Sequence, residues 1–123
     1  MKQPELGSIL LGTTNPDRLR AWYREAFAAT EAENGFLDFG PVGVLIDGRD
    51  DVAAASPEPG RYILNFHVAD AKACAAHLEA MGVIWIAKLE QRDVGWFATL
   101  ADPDGNYVQI IELSPEYLAA RGR

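Results

Sequence analysis

Few side chains in this sequence could do chemistry, and the most informative of them sit close together. Asn65 and His67 are two residues apart, and Gln109 lies near the C-terminal end of a run that begins Ala101-Asp102-Pro103-Asp104-Gly105-Asn106. An imidazole titrating near neutrality can act as general base or as a polar ligand contact. Together with two carboxamides it could also offer N and O donors to a divalent ion. A histidine bonded to backbone or water at a strand end is the competing reading of His67. Asp102 and Asp104 resemble a paired carboxylate, but turn geometry accounts for both. Without an apolar pocket to split their pKa values they are poor acid and base. Cys74, the only cysteine, falls among helical apolar positions, where a thiol behaves as a small hydrophobe. His77 falls on a charged helical face and reads as solvated. Gly95 and Gly105 precede no helix and form no phosphate-cradling loop.

The elements that position these residues follow from local signals. Pro103 presets φ for a turn, Asp102 can accept hydrogen bonds from the turn's own backbone, and Gly105 or Asn106 can take the positive φ. The flanking residues, about 94–101 and 107–113, are rich in aromatic and β-branched types, so the spacing predicts a hairpin. Upstream, Tyr62 to Val68 reads as a strand. Asp70 is an N-cap, and Ala71, Cys74, Ala75, Leu78 and Met81 form a helical stripe that Gly82 ends. A further strand is predicted at about 84–88. The first half repeats this order: a strand over Leu6 to Thr13, an Asn15-Pro16 helix start, then a stripe of Leu19, Trp22, Tyr23, Ala26 and Phe27. Short strands follow around 31–33, 36–39 and 42–47.

The pattern strand, helix, three strands therefore occurs twice, over about 6–47 and 61–113, with a Pro- and Gly-containing linker at about 48–60. Ser114-Pro115 caps a short C-terminal helix over about 115–121, whose Tyr117 and Leu118 are expected to dock on the domain or on a partner. The expectation is a single α+β domain spanning residues 1–123.

The strand, Asp-Pro-Asp-Gly-Asn turn and strand ending in Glu112-Leu113, taken with the duplicated order, resembles the vicinal oxygen chelate superfamily. This is the group of glyoxalases, bleomycin-resistance proteins and extradiol dioxygenases. The resemblance implies paired βαβββ modules forming a curved mixed sheet around a cup. In metal-dependent members, side chains on matching strands hold a divalent ion in the cup; carried over, those positions are Ser8, Ile63 and Gln109. An isoleucine donates nothing, a serine hydroxyl is a weak ligand, and one neutral amide cannot offset the desolvation of the ion. The container is expected to survive, lined by Ser8, Ile63, Asn65, His67 and Gln109, with Trp96 as stacking surface. Glu112, of opposite parity to Gln109, should stay outside.

The reading that follows is non-catalytic binding of a small organic molecule, such as a cationic antibiotic or a metabolite, with no cofactor and no metal. Its alternative is a metal-dependent lyase, isomerase or dioxygenase with displaced ligands built from Asn65, His67, Gln109 or residues lent by a partner subunit; a metal-free enzyme using His67 alone is a third. The net charge of −7 argues against nucleic acid and anionic membrane surfaces. No apolar run approaches the roughly 20 residues that span a bilayer, and the first residues lack a signal-peptide core. A cytoplasmic protein is expected, and unpaired edge strands suggest a homodimer.

Overall fold

A computed structural model describes residues 1–121. The chain forms two compact units that meet in sequence at Ala55 and Ser56, inside the segment read as a linker. Each unit is a βαβββ module with one open, mixed, four-stranded sheet.

In the first unit β1 (Ser8–Thr13) leads to α1 (Pro16–Phe27), followed by β2 (Thr30–Glu31), β3 (Phe36–Phe39) and β4 (Val42–Gly48), in the sheet order β1-β4-β3-β2. The Asn15 side chain accepts from the Arg18 amide at 3.2 Å and Pro16 opens the helix, so the start of α1 is satisfied locally. Leu19, Tyr23 and Ala26 are buried with Leu37, Val44 and Ile46, which places the core on the helix side of the sheet. Arg20 reaches across to Glu31 at 3.3 Å and to the carbonyl oxygen of Ile46 at 3.2 Å. Ala28 closes α1 in the left-handed region at φ 52°.

The second unit repeats the order with β5 (Leu64–His67), α2 (Ala71–Met81), β6 (Ile84–Arg92), β7 (Gly95–Ala101) and β8 (Tyr107–Leu113), arranged β5-β8-β7-β6. Asp70 caps α2 through the Ala73 amide at 3.0 Å, and Gly82 ends it in the left-handed region. Ala71, Leu78, Ala98, Leu100, Val108 and Ile110 are buried, again on the helix side. A short α3 (Pro115–Ala120) follows, capped by Ser114. Tyr117 and Leu118 are 36% and 41% exposed.

The turn between β7 and β8 is built around Asp102. Its Oδ1 accepts from the amides of Asp104 at 2.9 Å and Asn106 at 3.0 Å, and its Oδ2 accepts from Asn106 Nδ2 at 3.1 Å. The Gly105 amide returns to the Asp102 carbonyl, and Gly105 takes φ 84°, which a side chain would resist. The latter part of the presumed linker is stitched to this turn: Ser56 donates to the Asp104 carbonyl at 2.8 Å and Tyr107 donates to the Pro59 carbonyl at 3.1 Å.

Several strand boundaries differ from the sequence expectation; β1 starts at Ser8 rather than Leu6, and β5 ends at His67 rather than Val68. β5 starts at Leu64 rather than Tyr62, because the chain is still turning at Glu58 to Arg61 and the Tyr107 amide that would begin the ladder is taken by Pro59. β6 runs to Arg92 rather than Lys88, because the tight connection Asp93-Val94 lets β7 pair with it to the end, where Arg92 faces Gly95. β2 is cut to Thr30–Glu31 by the turn in which Ala32 bonds to Phe36 and Gly35 to Ala32.

Two variants test these local causes. Asp102→Ala leaves three donors of a buried turn without their acceptor and should lower the unfolding free energy by roughly 2–4 kcal/mol in urea titrations; Asp102→Asn, which keeps Oδ1, should cost less. Ala28→Gly relieves a left-handed alanine and should raise stability by about 0.5–1 kcal/mol, seen as a higher urea midpoint at unchanged slope.

Candidate functional site

Each sheet has a face turned away from its helix, and strand parity decides which side chains reach it. In the second unit this face carries a polar row. Asn65 of β5 lies in register with Gln109 of β8, which lies opposite Thr99 of β7. Gln109 Nε2 donates to Thr99 Oγ1 at 3.1 Å, while Asn65 is exposed. The next row holds His67, Ile111 and Phe97, with the Arg92 guanidinium 4.9 Å from the centre of the Phe97 ring and Arg92 itself held by Glu90 at 2.7 Å. The row on the other side runs from Tyr107 to Ala101 and Ile84. Such a surface offers two carboxamides, a hydroxyl and an imidazole beside an aromatic ring and aliphatic groups, the usual make-up of a small-molecule site.

Asn65, His67 and Gln109 are thus brought onto one face. Ile63 stops one residue short of β5 and is half-buried. Trp96 is not among them. It pairs with Glu112, and the Lys72 ammonium of α2 sits 4.5 Å from the centre of its ring, so Trp96 lies on the helix side of the sheet. Trp85 is there too, its indole N–H donating to Glu79 of α2. Glu112 stays off the open face, and its carboxylate accepts from the Ala71 amide at 2.8 Å, fixing the first turn of α2 to the sheet.

Thr99 and Phe97 are the residues that sequence reading missed. The signal was present: once the turn pairs Ala101 with Tyr107, Thr99 must face Gln109 and Phe97 must face Ile111. The same counting carries Trp96 to the side of Glu112.

Ser8 belongs to the first unit, at the exposed start of β1 opposite Gly43. It lines a recess of about 300 Å³ with Asn34, Phe36, Asp38 and Gly43. At the other end of the same sheet a shallow recess is walled by Thr13, Asp47, Arg49 and Asp51. Arg49 there forms a two-pronged pair with Asp51 at 2.8 and 2.6 Å. The hydrogen bond from Arg49 holds the Asp51 carboxyl below the usual range, and its return raises the guanidinium. Burial pushes the Cys74 thiol up, away from nucleophilic use. Among the described residues, no three His, Cys, Asp or Glu side chains converge as a metal ion would need.

Solved structures share this fold. A glyoxalase/bleomycin resistance protein/dioxygenase family enzyme from Burkholderia phytofirmans matches 90% of this chain and 100% of its own, with a TM-score of 0.75 at 18% identity. A fosfomycin resistance protein from Mesorhizobium loti matches over 97% of this chain and 99% of its own, with a TM-score of 0.70 at 16% identity. An antibiotic binding protein from a Streptomyces species matches over 93% and 99%, with a TM-score of 0.67 at 19% identity. At these identities the likeness is one of fold. No curated protein sequence matches the chain significantly. The family model of the glyoxalase-like domain does match it, over residues 8–111. That span runs from the first residue of β1 into β8 and takes in both modules, and the chain belongs to this family.

Proposed function

We propose that this chain binds a small organic molecule without transforming it, and that the open face of the second sheet holds it. The observation that carries this reading is the residue content at the positions where metal-dependent members of the superfamily hold their ion. Those positions are Ser8, Ile63 and Gln109; one has no donor atom, one has only a neutral hydroxyl, and Gln109 offers a single neutral amide oxygen. This donor set does not fit a divalent cation. Asn65 and Gln109 then serve as hydrogen-bonding anchors, His67 as a polar contact, and Phe97 as an apolar wall.

The antibiotic binding and fosfomycin resistance proteins that share the fold support a role in sequestering a drug or metabolite. The net charge of −7 suits a cationic ligand. In this reading the protein is a cytoplasmic homodimer. β6 supports the dimer: it is an edge strand of nine residues whose Ile84 is 69% exposed, a surface that a second copy would cover.

A second reading, a metal-dependent lyase, isomerase or dioxygenase, is favoured by one feature, the convergence of Asn65, His67 and Gln109 on one face. Metal content separates the two. Protein purified without chelator or histidine tag, then dialysed against micromolar Zn, Ni, Mn and Fe(II), should retain no stoichiometric ion. A near-stoichiometric ion lost in His67→Ala/Gln109→Ala would overturn the binding reading. In a thermal-shift panel of cationic antibiotics and aromatic metabolites, a ligand at a hundred times its Kd should add about 2.7 kcal/mol, a rise of several degrees. Asn65→Ala/Gln109→Ala should abolish that rise, and a panel that moves nothing removes the main support for the proposal.

A further inference from the structure

The turn between β2 and β3 is set up for a reaction that needs no ligand. The chain has four asparagines, Asn15, Asn34, Asn65 and Asn106. An asparagine loses its side-chain amide spontaneously when the backbone nitrogen of the next residue attacks Cγ, so the following residue decides which of them can react. Asn15 is followed by Pro16, whose nitrogen carries no hydrogen. Asn65 is followed by Phe66 inside the β5 ladder, where a bulky side chain and regular pairing hold the nitrogen in place. The Tyr107 amide after Asn106 is bonded to the Pro59 carbonyl, and the Asn106 carboxamide is tied to Asp102 at 3.1 Å. Asn34 alone is followed by a glycine, Gly35.

The turn presents that pair for reaction. Asn34 is exposed, and Gly35 takes φ 86°, a conformation its missing side chain permits. Asn34 Oδ1 accepts from the Phe36 amide at 3.2 Å, so the carboxamide folds back along the peptide that joins it to Gly35, and the bond draws electron density from Cγ. Beyond its chain neighbours, a Cβ on Gly35 would meet only Leu45 Cδ1, at 3.9 Å, which leaves room for a ring to close. The Gly35 amide donates to the Ala32 carbonyl at 3.0 Å, and this bond must open before attack. Ala32, Glu33 and Asn34 are all exposed at the tip of the turn, where local opening costs little.

We propose that Asn34 is a site of spontaneous deamidation in the folded protein. The Gly35 nitrogen gives its proton to solvent base and bonds to Asn34 Cγ; the Cγ–Nδ2 bond breaks, and Nδ2 takes a proton and leaves as ammonia. Water opens the resulting cyclic imide at either carbonyl, giving aspartate or isoaspartate, and nothing is oxidised or reduced. Both products place a carboxylate next to Glu33 and in the recess that Asn34 shares with Asp38. Isoaspartate also adds a methylene to the backbone inside the turn that aligns Thr30 with Asp38 and Glu31 with Leu37. The site is independent of the ligand-binding reading and can stand if that reading falls.

The test is to age the full chain, folded and in urea, in buffers from mildly acidic to mildly alkaline pH, and to map its peptides by mass spectrometry. In the folded chain the peptide containing Asn34 should gain about one dalton as NH₂ is exchanged for OH, and should resolve by chromatography into two products. The rate should rise with pH, because the attacking nitrogen must lose its proton, while the peptides of Asn65 and Asn106 stay unchanged. Asn34→Gln, whose longer side chain closes a ring less readily, should lose the mass gain at this position. An Asn34 peptide that stays unchanged in the folded chain, conversion as fast at Asn65 or Asn106, a rate independent of pH, or an undiminished gain in Asn34→Gln each overturns the proposal.

Discussion

The second module depends on one buried carboxylate. Asp102 is only 5% exposed, and it stays there because its oxygens are spent on the amides of Asp104 and Asn106 and on the Asn106 side chain. Those bonds fix how the chain reverses, and the reversal fixes the register of β7 on β8. Register matters more than length here, since a slip of one residue would move every side chain to the other face. With Ala101 set opposite Tyr107, Thr99 meets Gln109, and the parallel pairing of β5 then brings Asn65 beside them. The polar row on the open face is thus a consequence of a turn three residues away along each strand.

The helix side obeys the same register with the opposite content. Val108, Ile110, Leu100 and Ala98 fill the core, and Glu112, at the end of that row, reaches the first amide of α2. A carboxylate there satisfies an orphan donor and complements the positive end of the helix. The two tryptophans on this side are held by α2, one through Glu79 and one under Lys72. Side chains that look suited to stacking on a ligand are committed to joining helix and sheet.

The first module reaches the same order of elements by different local means. Its last hairpin closes in two residues, Gly40-Pro41, and the Asp38 carboxylate takes one amide of the turn, that of Gly40 at 3.2 Å, where Asp102 takes two and a side-chain amide besides. Gly40 with positive φ followed by a residue whose ring fixes φ near −65° has the sign pattern of a type II′ turn, which matches the twist of the flanking strands. Low sequence identity between the modules is therefore expected. What repeats is the placement of caps, turns and apolar parity, and several turn chemistries satisfy the same geometry.

Features that depend only on near neighbours in the chain were legible in the sequence. The N-caps at Asn15, Asp70 and Ser114, the end of α2 at Gly82, the Asp102 turn and the apolar stripes of α1 and α2 all rest on interactions within four residues or on helical period. The family followed from them because the order and spacing of those signals are what its fold requires. The lengths of β5 and β6 were decided elsewhere, by where Pro59 captures the Tyr107 amide and by how far β7 continues as a partner. The side taken by Trp96, and the bond between Gln109 and Thr99, depend on which strands become neighbours. A strand's own sequence gives the alternation of its side chains, but only its pairing and its helix say which of the two faces is covered.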